Sequence, residues 1–403
     1  MKPLRTYILL RNFALSLSQP FIAFLSALSG LNGEALAIIS SAGTVLPSIV
    51  QFVLGFVRAR GKQLVVIGSA IVGILWVILS LIPFSSIIFV PLYVFLEASL
   101  GVSLFGWYLI MDTVSTSSRG KVLAQYSFYS TLGGLIATLI TGFLVGDDTA
   151  LVRPFFLMTG VLILSDSYIA YKFDVDYEKP PIKELKVTKE FRDFLLITFT
   201  FNVIWSSAWP LFPLAQVYVF NMNFENVAII NTISGVSTLL MQNWVGKLVD
   251  KNRKLVMFTG RLALATFPLA YALSTSSYEI YLANVVAGFT NSVNSTAYLS
   301  YLYDSSKDTR KSVGLYNAVT ALGDLTGSSI GGITAQLVTS YFGVVQGIKD
   351  MMLVIAVLRI LASLFYLSFT NLLRRRLVLR LQCHLFLPLL LSFVLLVSYL
   401  VQA

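Results

Sequence analysis

Cysteine and histidine occur once each, as the neighbours Cys383 and His384. One cysteine excludes a disulfide framework, and the lone pair argues against a His/Cys metal site. Charge is scarce too: Asp, Glu, Lys and Arg make up 12% of the 403 residues, against about a quarter in soluble domains. No Gly-x-x-x-x-Gly-Lys-Ser/Thr loop is present, which argues against ATP-driven work by this chain alone. No nucleophile elbow or metal-ligand cluster appears, so no catalytic constellation is found. An enzyme, a metal and a cofactor are therefore not expected.

What is abundant is apolar sequence, 56% of residues, with a mean hydropathy of +0.79. The apolar runs reach the roughly 20 residues that a bilayer-spanning helix needs. Backbone groups in lipid must bond within their own segment, so the runs are expected to be helices. Runs of this length do not fit the short alternating strands of a membrane barrel. Twelve spans are expected, near residues 6–29, 35–57, 63–84, 87–112, 120–146, 152–172, 192–218, 224–247, 254–273, 277–303, 311–339 and 346–371. The first carries Arg11, Asn12 and Gln19 without a small-residue cleavage site and reads as a retained helix.

The net charge of +10 could suggest nucleic acid, but its placement points elsewhere. Basic residues cluster on one side: Lys2, Arg5 and Arg11; Arg58, Arg60 and Lys62; Arg119 and Lys121; six residues of the middle loop; Lys247, Lys251, Arg253, Lys254 and Arg261; Lys307, Arg310 and Lys311; and Arg374, Arg375, Arg376 and Arg380. Only Arg153, Lys349 and Arg359 fall elsewhere. The positive-inside rule makes that side cytoplasmic, with the N-terminus inside. The expected location is the cell membrane, and the expected state a monomer in the bilayer.

The chain also repeats itself. A shift of 190 to 191 residues aligns Asn12, Ser16 and Pro20 with Asn202, Ser206 and Pro210. It aligns the stretch from Leu31 (LNGEALAII) with that from Met222 (MNFENVAII), Gln51 and Gly55 with Gln242 and Gly246, and Tyr126, Gly133 and Gly142 with Tyr316, Gly323 and Gly332. Six spans separate equivalent points, so the copies are parallel, related by an axis along the membrane normal. The expected fold is all-α: twelve transmembrane helices as two six-helix bundles (6+6), with residues 1–172 and 191–372 as the bundles. Residues 173–190, interrupted by Pro180 and Pro181, form a cytoplasmic linker. Residues 373–403 are an Arg-rich then hydrophobic tail, either an extra C-terminal helix over 385–401 or an interfacial segment.

Over residues 1–372 this pattern resembles the major facilitator superfamily. Its members carry Gly-x-Leu-x-Asp-Arg-x-Gly-Arg-Arg between helices two and three, echoed between eight and nine. Here the second copy keeps Gly246, Leu248, Asp250, Lys251, Arg253 and Lys254. The first keeps Gly55, Arg60 and Lys62 but has Ala59 in place of Asp. Both are one residue short. The resemblance implies a cytoplasmic gate at Gly55, Arg60, Arg119, Gly246, Asp250, Arg253 and Arg310, with glycine allowing close backbone approach; a plain positive-inside loop is the alternative. The fifth helix lacks the Gly-Pro of drug antiporters. Its Gly133, Gly134, Gly142 and Gly146, like Gly323, Gly327, Gly331 and Gly332 of the eleventh, read first as close-packing positions.

Polar residues inside spans are costly and by default suggest function. Asn12 and Gln19 lie on the first span, Glu97 on the fourth, Asn202, Trp205 and Trp209 on the seventh, Asn291 and Asn294 on the tenth, and Asp324 on the eleventh. The resemblance implies that helices one, four, seven and ten line the cavity, making these residues the candidate solute contacts; for each Asn, helix-to-helix bonding is the alternative, and for Trp205 and Trp209, plain packing. Glu97 and Asp324 are the candidates for proton coupling, since burial penalises an ionised carboxyl. The alternative for each is a carboxyl held by a basic partner or a helix end. Asp166 and Arg359 lie on peripheral spans and read as structural, with snorkelling an option for Arg359. Together these expectations describe a secondary transporter moving a small organic solute by alternating access, with protons as the candidate coupling ion. The competing reading is a sensor or scaffold of the same fold without net transport.

Overall fold

Proline decides where several helices of this chain stop. In the computed structural model, which describes residues 2–84, 88–114, 119–179, 187–304 and 309–370, helix α1 (Lys2–Ser16) gives way to a 3₁₀ turn at Gln19–Phe21 before α2 (Ile22–Leu28). Pro20 has no N–H to offer the Ser16 carbonyl and its ring clashes there. The same event recurs one repeat later: α8 (Lys189–Ser206) stops before Pro210, α9 (Leu211–Leu214) follows, and a π-helical turn (Ala215–Val219) continues it. The aligned positions Ser16/Pro20 and Ser206/Pro210 are thus both helix breaks.

The first half continues through α3 (Gly33–Leu54), α4 (Gly61–Leu81), α5 (Phe89–Val114), α6 (Arg119–Val145) and α7 (Val152–Tyr171). In the second half α10 (Phe224–Ala263) is kinked at Asn252, where φ is −154° and ψ 79°. Then come α11 (Thr266–Leu273), α12 (Ser277–Ala283), α13 (Val286–Val293), a π-helical turn (Asn294–Tyr298) and α14 (Leu299–Asp304). Helices α15 (Thr309–Phe342) and α16 (Val344–Ser363) are joined at Gly343, whose φ of +79° suits glycine.

Among the described residues nine helices are long and apolar enough to cross a membrane. The protein is therefore an all-helical, multi-pass membrane protein. The tail from residue 373, and Pro180 and Pro181 of the expected linker, lie outside the described residues.

The residues group into two compact units. One draws on Met1–Gly30, Ala42–Lys186 and Met222–Thr232, the other on Leu31–Ser41, Val187–Asn221 and Ile233–Ala403. Inside the first, α4 packs on α5 and α7 through small residues. A Cβ on Gly68 would strike the Ser103 backbone, and Gly73 and Gly160 face each other's carbonyls. In lipid there is little hydrophobic drive between helices, so such close van der Waals contact is what holds them.

Inside the second unit, Gly323 and Gly327 of α15 lie on the carbonyls of Phe199 and Val203 of α8, and Gly331 on that of Ser207, just past the end of α8. The next face of α15 meets the first turns of α3: Ser328 Oγ donates to the Ala37 carbonyl at 2.7 Å, and Gly332 abuts Gly33. The first unit repeats this, with Gly142 of α6 against Phe224 and Ala228 of α10. The close-packing expectation describes these contacts, but Gly146 departs from it: it follows the end of α6 with φ +50°, and a Cβ there would meet only the Phe143 carbonyl at 4.0 Å.

Each unit has an aromatic core near the ends of its helices. In the first, Tyr7, Trp107, Tyr126 and Phe173 are in ring contact, with the Tyr7 and Trp107 centroids 5.1 Å apart. In the second, Phe194, Phe201, Tyr298, Tyr316 and Tyr366 form a larger cluster.

Candidate functional site

The break in the first helix exposes carbonyls that hydroxyls then satisfy. Ser18 N turns back to the Leu15 carbonyl at 3.2 Å, and Ala14 O, held by Leu17 N at 3.3 Å, also accepts from Thr159 Oγ1 at 3.0 Å. Ser16 O, which Pro20 cannot serve, accepts from Thr138 Oγ1 at 3.3 Å. The break turns Gln19 toward α5, where its Nε2 donates to Glu97 Oε1 at 2.8 Å. Glu97 is fully buried, and its Oε2 has no hydrogen-bond partner among the described residues. Tyr93, one turn earlier, interacts with the same carboxyl, and Gly43 of α3 leaves room beside it. Gln19 and Glu97, 78 positions apart, are thereby brought together. Asn12 bonds instead to its own helix, donating to Ile8 O at 2.8 Å.

The second unit assembles a different set. Asn202 is buried with its Oδ1 unpartnered, and its Cβ is close to Gly323. Trp205 and Trp209 straddle the break edge to face, ring centroids 4.9 Å apart. Asn291 donates to Thr238 Oγ1 at 3.3 Å, and exposed Asn294 opens the π-helical turn of the tenth expected span. Asp324 is 1% exposed, with Oδ1 unpartnered. Its charged neighbour is Arg261, without an ion-pair contact among the described residues.

Arg261 departs from expectation. Counted with the charges that follow the eighth span, it is buried. Its Nε donates to the Tyr298 hydroxyl at 2.9 Å and Nη2 to the Tyr316 hydroxyl at 3.3 Å. The guanidinium also lies over the rings of Tyr298 (4.3 Å) and Phe201 (4.8 Å). Cation–π contact and two hydroxyl acceptors replace the water that such a charge loses. Sequence position alone could not separate it from the nearby loop lysines; only its place inside the ninth span gave a hint. The first unit holds a parallel case. Arg11 is buried near the Asp166 carboxyl and over the Tyr7 ring at 5.9 Å.

At the gate positions the two loop copies differ. In the first, strand β1 (Ala59–Arg60) pairs antiparallel with β2 (Glu178–Lys179). Arg58 and Arg60 both reach Glu178, the latter at 3.5 Å. Gly61 N donates to Tyr177 O at 2.9 Å, Lys62 N to Asp176 Oδ1 at 3.1 Å, and Lys62 Nζ to Phe173 O at 2.8 Å. The start of the expected linker is therefore docked on the loop, which sequence reading missed. In the second copy Arg253 donates to Ser300 Oγ at 3.0 Å and covers the Tyr301 ring, while Asp250 is exposed. The expectation of close backbone approach is not met for Gly246 among the described residues: none of their atoms lies within 4 Å of a Cβ built there, because the long helix α10 runs on through it. The side chains of Arg119 and Arg310 lie outside the described residues. Among the described residues no group of three or more His, Cys, Asp or Glu could hold a metal.

A family model described as Major Facilitator Superfamily matches residues 7–328. Several solved structures share the fold. A POT family transporter in complex with 5-aminolevulinic acid aligns with a TM-score of 0.71 at 12% identity, covering 92% of this chain and 96% of its own. The nucleoside transporter NupG aligns at 0.65 and 12% identity, covering 91% and 98%. A D-xylose-proton symporter aligns at 0.66 and 16%, covering 90% and 95%. No curated protein matches the sequence.

Proposed function

The chain belongs to the Major Facilitator Superfamily, and we propose that it is a secondary active transporter that carries a small organic solute by alternating access. The observation that carries this reading is the pair of proline breaks at repeat-equivalent positions, each accompanied in its own unit by a buried carboxyl with an unpartnered oxygen. Broken helices mark the depth in the membrane at which transporters bind solutes and ions. Glu97 and Asp324 are the proposed proton carriers: each is buried with an unpartnered oxygen and makes no ion pair among the described residues, so it can take up and release a proton as its surroundings hydrate. Gln19, Asn202, Trp205, Trp209, Asn291 and Asn294 are the proposed solute contacts, with Asn12 a helix-bonded neighbour.

The proposed topology has twelve spans in two six-helix halves. Helix α10 with α11 makes fifty residues, about 75 Å at 1.5 Å per residue, more than twice the hydrocarbon core of about 30 Å; the kink at Asn252 divides it into two crossings. Helices α12 to α14 form the tenth and α15 the eleventh. The N-terminus is assigned to the cytoplasm and the protein to the cell membrane. The POT family transporter bound to 5-aminolevulinic acid, the nucleoside transporter and the D-xylose-proton symporter differ too widely to name a solute, so a neutral or cationic organic solute is proposed from two acids, amides and tryptophans.

The test is solute-dependent stabilisation of purified protein against sugars, amino acids, organic acids and organic cations, followed by uptake of each hit into liposomes. Saturable uptake that responds to a pH gradient supports the reading; binding without flux replaces it with a sensor or scaffold.

A further inference from the structure

Arg359 is a buried cation that the proposed cycle does not use. It sits near the C-terminal end of α16, has no exposed surface, and no carboxylate pairs with it among the described residues. Its Nη1 donates to the Leu264 carbonyl at 2.7 Å, and its Nη2 donates to the Trp205 carbonyl. A charge in such a place needs compensation, and these two acceptors supply it in a particular way.

Both carbonyls are free because of proline. Leu264 O would accept from residue 268 in an unbroken helix, but Pro268 has no N–H. Near Pro210 the Trp209 N–H turns back to Ser206 O at 2.9 Å, so Trp205 O loses its partner. Each acceptor also lies at a helix C-terminus, since α8 ends at Ser206 and α10 at Ala263. The negative ends of two helices therefore face one guanidinium. A planar fork with several donors can serve two carbonyls at once, whereas an ammonium is a point charge.

The repeat supplies a control within the same chain. In the first half the break at Pro20 is served by Thr138 and Thr159 hydroxyls. The positions matching Pro268 are Val77 or Ile78, and those matching Arg359 are Tyr168 or Ile169. Where the second proline is missing, the arginine is missing too.

We propose that Arg359 is a positioning residue: it ties the two proline breaks together and thereby fixes the segment bearing Trp205 and Trp209. Its relevance to solute binding rests on the proposed role of those tryptophans; the tie itself does not.

The experiment is acrylamide quenching of tryptophan fluorescence in the purified full chain carrying Trp244→Phe. Trp244 is exposed, while Trp76 and Trp107 are buried, so changes report on Trp205 and Trp209. Arg359→Lys should raise the quenching constant about twofold or more, because one carbonyl loses its donor and the break loosens. Pro268→Ala alone should leave it unchanged. Adding Pro268→Ala to Arg359→Lys should restore the parent value, since residue 268 now supplies an N–H to Leu264 O and leaves the single ammonium to hold Trp205 O. Unchanged quenching in Arg359→Lys, or no restoration by Pro268→Ala, overturns the proposal. If Arg359→Lys does not fold, monodisperse recovery of the double variant supports the tie, and failure to recover overturns it. Solute uptake by Trp205→Phe and Trp209→Phe is a separate arm: unchanged uptake there removes the tryptophans from the solute site without touching the tie.

Discussion

Glu178 stands opposite Arg60 in a two-residue antiparallel ladder, its carboxylate 3.5 Å from the Arg60 Nε. The first loop copy has Ala59 where the family places an acid. The segment after α7 brings an acid to the same arginines from more than a hundred residues away.

The ion pair itself should add little stability. The Arg60 side chain is 55% exposed, and exposed pairs contribute about 0–1 kcal/mol. A double-mutant cycle with Arg60→Ala and Glu178→Ala, followed by thermal unfolding, should give a coupling of under about 1 kcal/mol. A larger value would mean that the pair, rather than the backbone ladder and the Asp176 and Lys62 bonds, holds the loop.

Close packing of α15 on α8 should be intolerant of volume. Gly327→Leu drives a side chain into the Val203 carbonyl and the Ser206 hydroxyl, and overpacking of this kind costs about 1–3 kcal/mol or more. The expected outcome is a lower unfolding temperature or aggregation on size exclusion. Ser328→Ala, which removes only the bond to Ala37 O, should cost about 0.6 kcal/mol, the mean for hydrogen bonds measured in a membrane.

Arg261 should be harder to replace than any loop arginine. Arg261→Met leaves the Tyr298 and Tyr316 hydroxyls without the donor they now share and leaves Asp324 without its cationic neighbour. Removing one partner of a buried charge arrangement costs about 3–5 kcal/mol. Unfolding temperature should fall sharply in Arg261→Met and little in Lys251→Met, which is exposed.

Much of this was legible in the sequence because membrane helices announce themselves by length and composition, and because the repeat constrains itself. Pro20 and Pro210 stood out as aligned positions, although the expected spans 6–29 and 192–218 ran through the breaks they make, and the glycine stripes marked the close contacts. What stayed hidden depends on partners distant in the chain. Nothing near Arg359 signals that its acceptors lie 95 and 154 residues away, although Pro268 and Pro210 mark which carbonyls are free. Arg261 looked like a loop charge because charge alone does not report depth. Glu178 looked like linker because a two-residue ladder is too short to show a strand period. The Gln19–Glu97 bond was not foreseen as a contact, although both residues were candidates from their cost in lipid.

Proton movement through the two buried carboxyls is tested most directly by gradient-driven uptake in proteoliposomes carrying Glu97→Gln or Asp324→Asn. Each change keeps the size of the side chain and removes its ability to ionise; at Glu97 the new amide carbonyl can still accept from Gln19 Nε2. Uptake driven by a pH gradient should fall about tenfold or more in at least one variant, toward the loss typical of a positioned proton-transfer group, while solute exchange without a gradient persists. Gradient-driven uptake at the parent rate in both variants would contradict proton coupling through these residues.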